Sequence, residues 1–114
     1  IYNKIKTVKS KLFIHLINLQ HLELRSNLIT NIEQYAFLNL EKTLHVLTLY
    51  KNRLELIKNY FFTGLNELRL LDLSNNKISN IEYDSFKDLQ NLIKLDLKDN
   101  CIFRIDSRLL KSLN

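Results

Sequence analysis

The chain is short of the residues that usually punctuate or staple a fold. Its 114 residues include one glycine, one cysteine, and no proline, methionine or tryptophan. One cysteine excludes an internal disulfide and cannot alone build a zinc site. One glycine, Gly64, excludes a glycine-rich phosphate loop. So little glycine and proline also argues against a fold made of many tight turns. The longest mainly apolar stretches are about six residues, as at residues 12–17, where His15 interrupts the run, far below the roughly 20 needed to span a bilayer. No basic segment, apolar stretch and small-residue cleavage site opens the chain, so no secretory signal is expected in it. What remains is ordinary: 46% hydrophobic and 25% charged residues, the balance of one globular domain and not of a disordered chain.

The order of the hydrophobic residues is not ordinary. Leu19, Leu22, Leu24, Asn27, Ile29, Ile32, Phe37 and Leu40 return at the same offsets as Leu44, Leu47, Leu49, Asn52, Leu54, Ile57, Phe62 and Leu65. A third pass gives Leu68, Leu71, Leu73, Asn76, Ile78, Ile81, Phe86 and Leu89, and a fourth gives Leu92, Leu95, Leu97, Asn100, Ile102, Ile105, Leu110 and Leu113. The N-terminal piece carries the tail of another unit in Asn3, Ile5, Val8, Phe13 and Leu16. The period is 24 residues, with one extra residue near Glu41-Lys42-Thr43. This divides the chain into a partial repeat, 1–18, and full repeats 19–43, 44–67, 68–91 and 92–114, all in a single array. An amphipathic helix would need spacings of three and four sustained over several turns. Here the spacing runs three, two, three and changes within each unit.

Each unit is readable as physics. The alternation in Leu22-Glu23-Leu24 and its copies predicts a short strand with one buried face. Strands of successive units would lie about 4.8 Å apart in a parallel sheet. The Asn that follows both donates and accepts, so it can satisfy backbone groups that the turn would bury. Asn27, Asn52, Asn76 and Asn100 therefore form a ladder, and losing one rung should cost about 1–3 kcal/mol. Phe13, Phe37, Phe62, Phe86 and then Leu110 form a second inward column, each side chain contributing roughly 1.5–3 kcal/mol by burial. No unit buries its own apolar face, so the stack is the stable object.

The motif LxxLxLxxNxL, present as Leu68-Arg69-Leu70-Leu71-Asp72-Leu73-Ser74-Asn75-Asn76-Lys77-Ile78 and matched in register by the other units, resembles the leucine-rich repeat family over essentially the whole chain. The 24-residue period with a late Phe is similar to the subclass of Toll-like receptors, Slit and chaoptin, and residues 71–81 and 95–105 resemble arthropod members. The resemblance implies an α/β solenoid of horseshoe type, with short parallel strands on the concave face and irregular, 3-10 or short helical turns on the convex face. It also implies a receptor, adhesion or innate-immunity protein, extracellular or at the cell surface, that binds a protein ligand or another repeat protein. Two features depart from the family. The site that often holds Pro carries Glu33, Lys58, Glu82 and Asp106, and no cysteine-rich caps flank the array. The expectation is thus a fragment of a longer array or an uncapped one. Its last coil would expose Leu92, Leu95, Leu97 and Ile102, with self-association through the ends as one outcome.

Outward strand positions form columns free to serve recognition: Gln20, His45, Arg69, Ile93; His21, Val46, Leu70, Lys94; Glu23, Thr48, Asp72, Asp96; Arg25, Tyr50, Ser74, Lys98; and Ser26, Lys51, Asn75, Asp99. Val46, Leu70, Tyr50 and Ile93, rimmed by Arg25, Lys51, Arg69 and Lys94, have the make-up of a protein-binding hot spot; scattered surface apolar residues are the plainer reading. Asp72 and Asp96, flanked by Lys94 and Lys98, are expected to join a solvated salt-bridge lattice in preference to a cation site. His21 and His45 lack the further ligands a metal needs, and His15 has no evident partner. Cys101 is expected to be a buried or half-buried inert thiol, with pairing to another segment or molecule as the alternative.

The net charge of +5 comes mostly from Lys4, Lys6, Lys9 and Lys11. The strand columns are nearly balanced, so no basic stripe tracks a phosphate backbone and nucleic acid is not expected as a partner. No nucleophile, base and orienting acid fall together, and an open sheet excludes water poorly. The expectation is a non-enzymatic binding module without metal or cofactor. An intracellular adaptor in the cytoplasm is the alternative, favoured by the absence of Asn-x-Ser/Thr acceptor sites, and a purely structural spacer is a third reading.

Overall fold

The computed structural model describes residues 3–112, with side chains through Leu109. The expected inward positions Leu110 and Leu113 lie outside the described side chains. The chain forms eight short strands and one helix: β1 (Thr7–Val8), β2 (His21–Glu23), β3 (Asn31–Ile32), β4 (Val46–Thr48), β5 (Leu56–Ile57), β6 (Leu70–Asp72), β7 (Asn80–Ile81), β8 (Lys94–Asp96) and α1 (Ser107–Ser112). β2, β4, β6 and β8 make one parallel sheet in that order; β1–β3 and β5–β7 make two smaller parallel sheets on the opposite side. Coils are numbered from the partial one, coil 0 (residues 3–18), through coil 1 (19–43), coil 2 (44–67), coil 3 (68–91) and coil 4 (92–112).

The register is the one the spacing predicts. Leu22 pairs with Leu47, Leu47 with Leu71, and Leu71 with Leu95. The odd extra residue is absorbed at the end of coil 1. There the Leu44 N–H reaches back four residues to Leu40 O, whereas Leu19, Leu68 and Leu92 each reach back three, to Leu16, Leu65 and Leu89. One wider turn keeps the sheet in register, because a one-residue slip would turn every core side chain outward.

The core is continuous through the stack and includes Ile29, Leu47, Leu49, Leu54, Phe62, Leu71, Leu73 and Phe86, all essentially dry. Toward the two ends it opens. Leu92, Leu95, Leu97 and Ile102 of coil 4 pack against it but are only partly buried. Two expected inward positions are exposed instead: Leu16 at 47% and Ile105 at 45%. Both sit on the first or last described coil, whereas their counterparts Leu40, Leu65, Leu89, Ile32 and Ile57 lie between two coils and are buried; Val8 on coil 0 is buried as well.

The asparagine ladder joins neighbouring coils. The N–H groups of Ile5, Ile29, Leu54 and Ile78 donate to Oδ1 of Asn27, Asn52, Asn76 and Asn100 at 2.9–3.2 Å. Nδ2 of Asn52, Asn76 and Asn100 donates back to the carbonyls of Leu24, Leu49 and Leu73 in the preceding coil, and each also holds the carbonyl three residues before it. Each rung thus closes its own turn and ties it to the coil before.

Tight turns are abundant, contrary to what the scarcity of glycine and proline suggests. The residue before each ladder Asn, namely Ser26, Lys51, Asn75 and Asp99, is left-handed, with φ of 54–60°. Lys11, Tyr35, Asn39 and Gly64 are left-handed on the convex side. A side chain in this region costs roughly 1–2 kcal/mol, less for Asn and Asp. Inter-coil bonds supply the compensation: Ser26 N–H donates to Tyr50 O, Lys51 N–H to Ser74 O, and Asn75 N–H to Lys98 O. Gly64 is not indispensable on backbone grounds, since Asn39 holds the matching place in coil 1 at φ 76°.

At the C-terminal side Asp106 caps α1. Its Oδ1 accepts from the Arg108 N–H at 2.8 Å and its Oδ2 from the Arg108 guanidinium at 2.8 Å. Arg108 also lies over the Tyr83 ring, 4.1 Å from its centre. The hydrogen bonds from Arg108 hold the Asp106 carboxyl at about 2, below its usual value of 3.8.

Two outcomes follow. Asn76→Ala, which strands Leu54 N–H and leaves the carbonyls of Leu49 and Leu73 with the Asn52 and Asn100 amides as their remaining side-chain donors, should destabilise the chain by about 2 kcal/mol in denaturant unfolding. Asn100→Ala, at the half-buried end rung, should cost about half as much. The capping contribution of Asp106, a carboxylate with a lowered folded-state pKa, is fully present above about pH 4 and lost as the pH falls toward 2; the Arg108 amide resonance should titrate with a midpoint near 2, and Asp106→Asn should abolish that titration.

Candidate functional site

The large sheet places the predicted columns side by side. His21 pairs with Val46, Val46 with Leu70, and Leu70 with Lys94; Glu23, Thr48, Asp72 and Asp96 form the next row. Val46 and Leu70 are half-buried neighbours at the centre of the face, while His21 and Lys94 at its ends are exposed. Ile93 is 82% exposed. Tyr50 lies half-buried beside them. Its hydroxyl accepts from Asn75 Nδ2 at 3.4 Å, and its carbonyl accepts from Ser26 N–H. The aromatic ring is therefore anchored at both its backbone and its tip. Rows above and below supply exposed Arg25, Lys51, Arg69 and Lys98.

Several expectations change. Ser74, placed by its column among the free residues, is buried. Both its N–H and its hydroxyl donate to Asp72 Oδ1. Asp96 repeats the arrangement, accepting from Lys98 N–H at 3.0 Å. Asp72 and Asp96 thus close turns two residues on and do not enter a salt-bridge lattice. Among the described residues, ion pairs form at Arg25–Glu23 (3.5 Å) and Arg108–Asp106 (2.8 Å), and neither involves Asp72 or Asp96. The spacing Asp-x-Ser and Asp-x-Lys carried this signal, because a short carboxylate commonly takes the N–H two residues ahead. Thr48 Oγ1 is shut from solvent with no hydrogen-bond partner among the described residues.

Cys101 is exposed, not buried. Its position matches Leu28, Arg53 and Lys77, the residue after each ladder Asn, and the two charged members of that set already marked the position as outward. His21 and His45 stand in different rows, and His15 is exposed on coil 0. Among the described residues no three His, Cys, Asp or Glu side chains gather into a possible metal site. Among the same residues no helix is long and apolar enough to cross a membrane.

The structure also shows a role for the carboxylates that stand where the repeat pattern often has Pro. Glu33 Oε1 accepts from Ser10 N–H at 2.9 Å, and Glu82 Oε1 from Asn59 N–H at 2.8 Å. Each clamps its coil to the one before. Lys58 occupies the same place in coil 2 and has no acceptor to offer, and Asp106 turns to α1 instead.

The comparisons agree with this architecture. The family model described as leucine rich repeat matches residues 2–43 and 42–102. No curated protein matches significantly. Among solved structures the chain is similar to TLR13 in the crystal structure of its complex with ssRNA13, at 35% identity and a TM-score of 0.80. The alignment covers 86% of this chain and 14% of that one. With the sheet, the ladder and the family match all in the same register, the chain belongs to the leucine-rich repeat family.

Proposed function

We propose that this chain is a non-enzymatic protein-interaction module that binds a protein ligand, or a partner repeat protein, through the face of its large sheet. The observation that carries the reading is the Val46–Leu70 apolar step beside an anchored Tyr50, ringed by Arg25, Lys51, Arg69 and Lys94. An aromatic side chain held in place before binding loses little entropy on contact, which is the property of an interface anchor. His21, Glu23, Thr48, Asp72 and Asp96 fill the surrounding rows and set the charge pattern a partner would meet. The likeness to TLR13 supports placing the module in a receptor-type protein of the cell surface or an internal compartment, with a role in innate immunity.

A second reading rests on one observation: the TLR13 neighbour was crystallised with ssRNA13. The sheet face offers Arg25, Lys51, Arg69, Lys94 and Lys98, but Glu23, Asp72, Asp96 and Asp99 are interleaved with them. This mixture favours protein over a phosphate backbone.

The test compares the wild-type chain with Tyr50→Ala. Proteins retained by the immobilised wild-type chain are identified, purified and titrated against both forms. Tyr50→Ala should weaken binding by about 30-fold, as expected of an interface anchor, with the unfolding midpoint nearly unchanged. Equal affinity in a folded variant would remove the reading. Tight binding of a single-stranded RNA oligonucleotide, with affinity falling steeply as salt rises, would favour the alternative.

A further inference from the structure

The large sheet and a full asparagine rung cross the boundaries between coils 1 and 2, 2 and 3, and 3 and 4 alike. The convex side is not uniform. Between coils 0 and 1, Leu28, Thr30 and Glu33 donate their N–H groups to Ile5, Lys6 and Val8. Between coils 2 and 3 the matching Lys77, Ser79 and Glu82 donate to Leu54, Glu55 and Ile57. Between coils 1 and 2 only the first of these three bonds forms, from Arg53 N–H to Ile29 O, and between coils 3 and 4 only Cys101 N–H to Ile78 O. The amides at Glu55, Lys58, Phe103 and Asp106, which hold the other two places, have no bond to the preceding coil.

The small sheets record these backbone bonds, and three side-chain features follow the same alternation. The small sheets pair β1 with β3 and β5 with β7, but not β3 with β5. The carboxylate clamps are Glu33 and Glu82, at the closed boundaries; Lys58 and Asp106 stand at the open ones. The phenylalanine column stacks as Phe13 on Phe37 and Phe62 on Phe86, at 6.1 and 6.2 Å, and no such pair links Phe37 to Phe62. Further side chains tie coil 3 to coil 2: Ser85 Oγ to Ile57 O, Gly64 N–H to Asp88, and Asn91 Nδ2 to Asn66 O. Asn39 Nδ2 does the same for coil 1, donating to Ile14 O of coil 0.

Three features of the structure account for the open boundary between coils 1 and 2. The wider Leu40–Leu44 turn lies there. Buried Phe61 occupies a place that coils 1 and 3 fill with the smaller Ala36 and Ser85, so extra volume must fit between the coils. Lys58 removes the acceptor that would have taken the Gln34 N–H.

We infer that residues 3–91 form two stiff two-coil blocks, 3–43 and 44–91, joined by a hinge whose axis is the β2–β4 pair and whose open side is the convex seam lacking a clamp at Lys58. Opening the seam rotates one block against the other about the sheet. His21, Glu23 and Arg25 then move relative to Val46, Tyr50 and Leu70, which all ride on the second block. Seated partners of different curvature are thereby accommodated without breaking the ladder. The hinge is a property of the free chain, whatever the face binds.

The test uses nuclear magnetic resonance on the full chain, wild type and Lys58→Glu. In the wild type, the Glu55 and Lys58 amides should exchange with solvent about tenfold to a hundredfold faster, after correction for intrinsic rates, than the Thr30, Glu33, Ser79 and Glu82 amides. Microsecond-to-millisecond relaxation dispersion should be concentrated at residues 31–43 and 56–67 and weak across the closed boundaries. Lys58→Glu supplies the missing acceptor for Gln34 N–H, so it should slow exchange at Gln34 and quench the dispersion. Equal protection at open and closed boundaries, absence of dispersion at the seam, or a folded Lys58→Glu chain with unchanged dispersion would each overturn the hinge.

Discussion

The structure depends on one side chain repeated at a fixed interval. An asparagine placed where the chain leaves the sheet offers an acceptor to the N–H of the coil before and donors to carbonyls of two coils. Backbone groups in the dry interior of a solenoid have no water to turn to, so this amide decides whether the turn can be buried at all. With it, strands only three residues long stack into a sheet that none would form alone. Without it, the leucines would still be hydrophobic and the strands could still pair, but the turn that leaves the sheet would bury unpaired backbone groups.

The ladder also explains how a chain with one glycine makes so many tight turns. Four residues immediately before the ladder asparagines sit in the left-handed region, and two of them, Ser26 and Lys51, belong to types that rarely do. Where Ser26, Lys51 and Asn75 stand, the cost is met by an N–H bond to the following coil. Turn chemistry in a repeat array is therefore set by the neighbouring coil as much as by the residue itself, and a composition argument built on isolated turns misjudges it.

Much of the architecture was open to reading from the chain. The spacing of Leu22, Leu47, Leu71 and Leu95 gave the register, and the extra residue near Thr43 was located to the correct turn. The site was partly legible. The rows of the sheet face follow from the same spacing, so Val46, Leu70 and Tyr50 were placed correctly. Ser74 and Asp72 were misread, because a side chain on an outward position can still turn back to its own backbone. The exposure of Cys101 was legible, since it shares its place in the repeat with the charged Arg53 and Lys77. The alternation of closed and open coil boundaries could not be read at all. It arises from carboxylates that reach backbone N–H groups of another coil, Glu33 to Ser10 and Glu82 to Asn59, and their meeting depends on three-dimensional offsets that the repeat pattern does not state.

The bridge that each asparagine amide makes between adjacent coils is directly measurable. A scalar coupling transmitted through the hydrogen bond from the Leu54 amide nitrogen to the side-chain carbonyl carbon of Asn76, with matching couplings from Ile29 to Asn52 and Ile78 to Asn100, is the predicted result. Absence of these couplings in a folded chain, with the same amides exchanging freely with solvent, would contradict it.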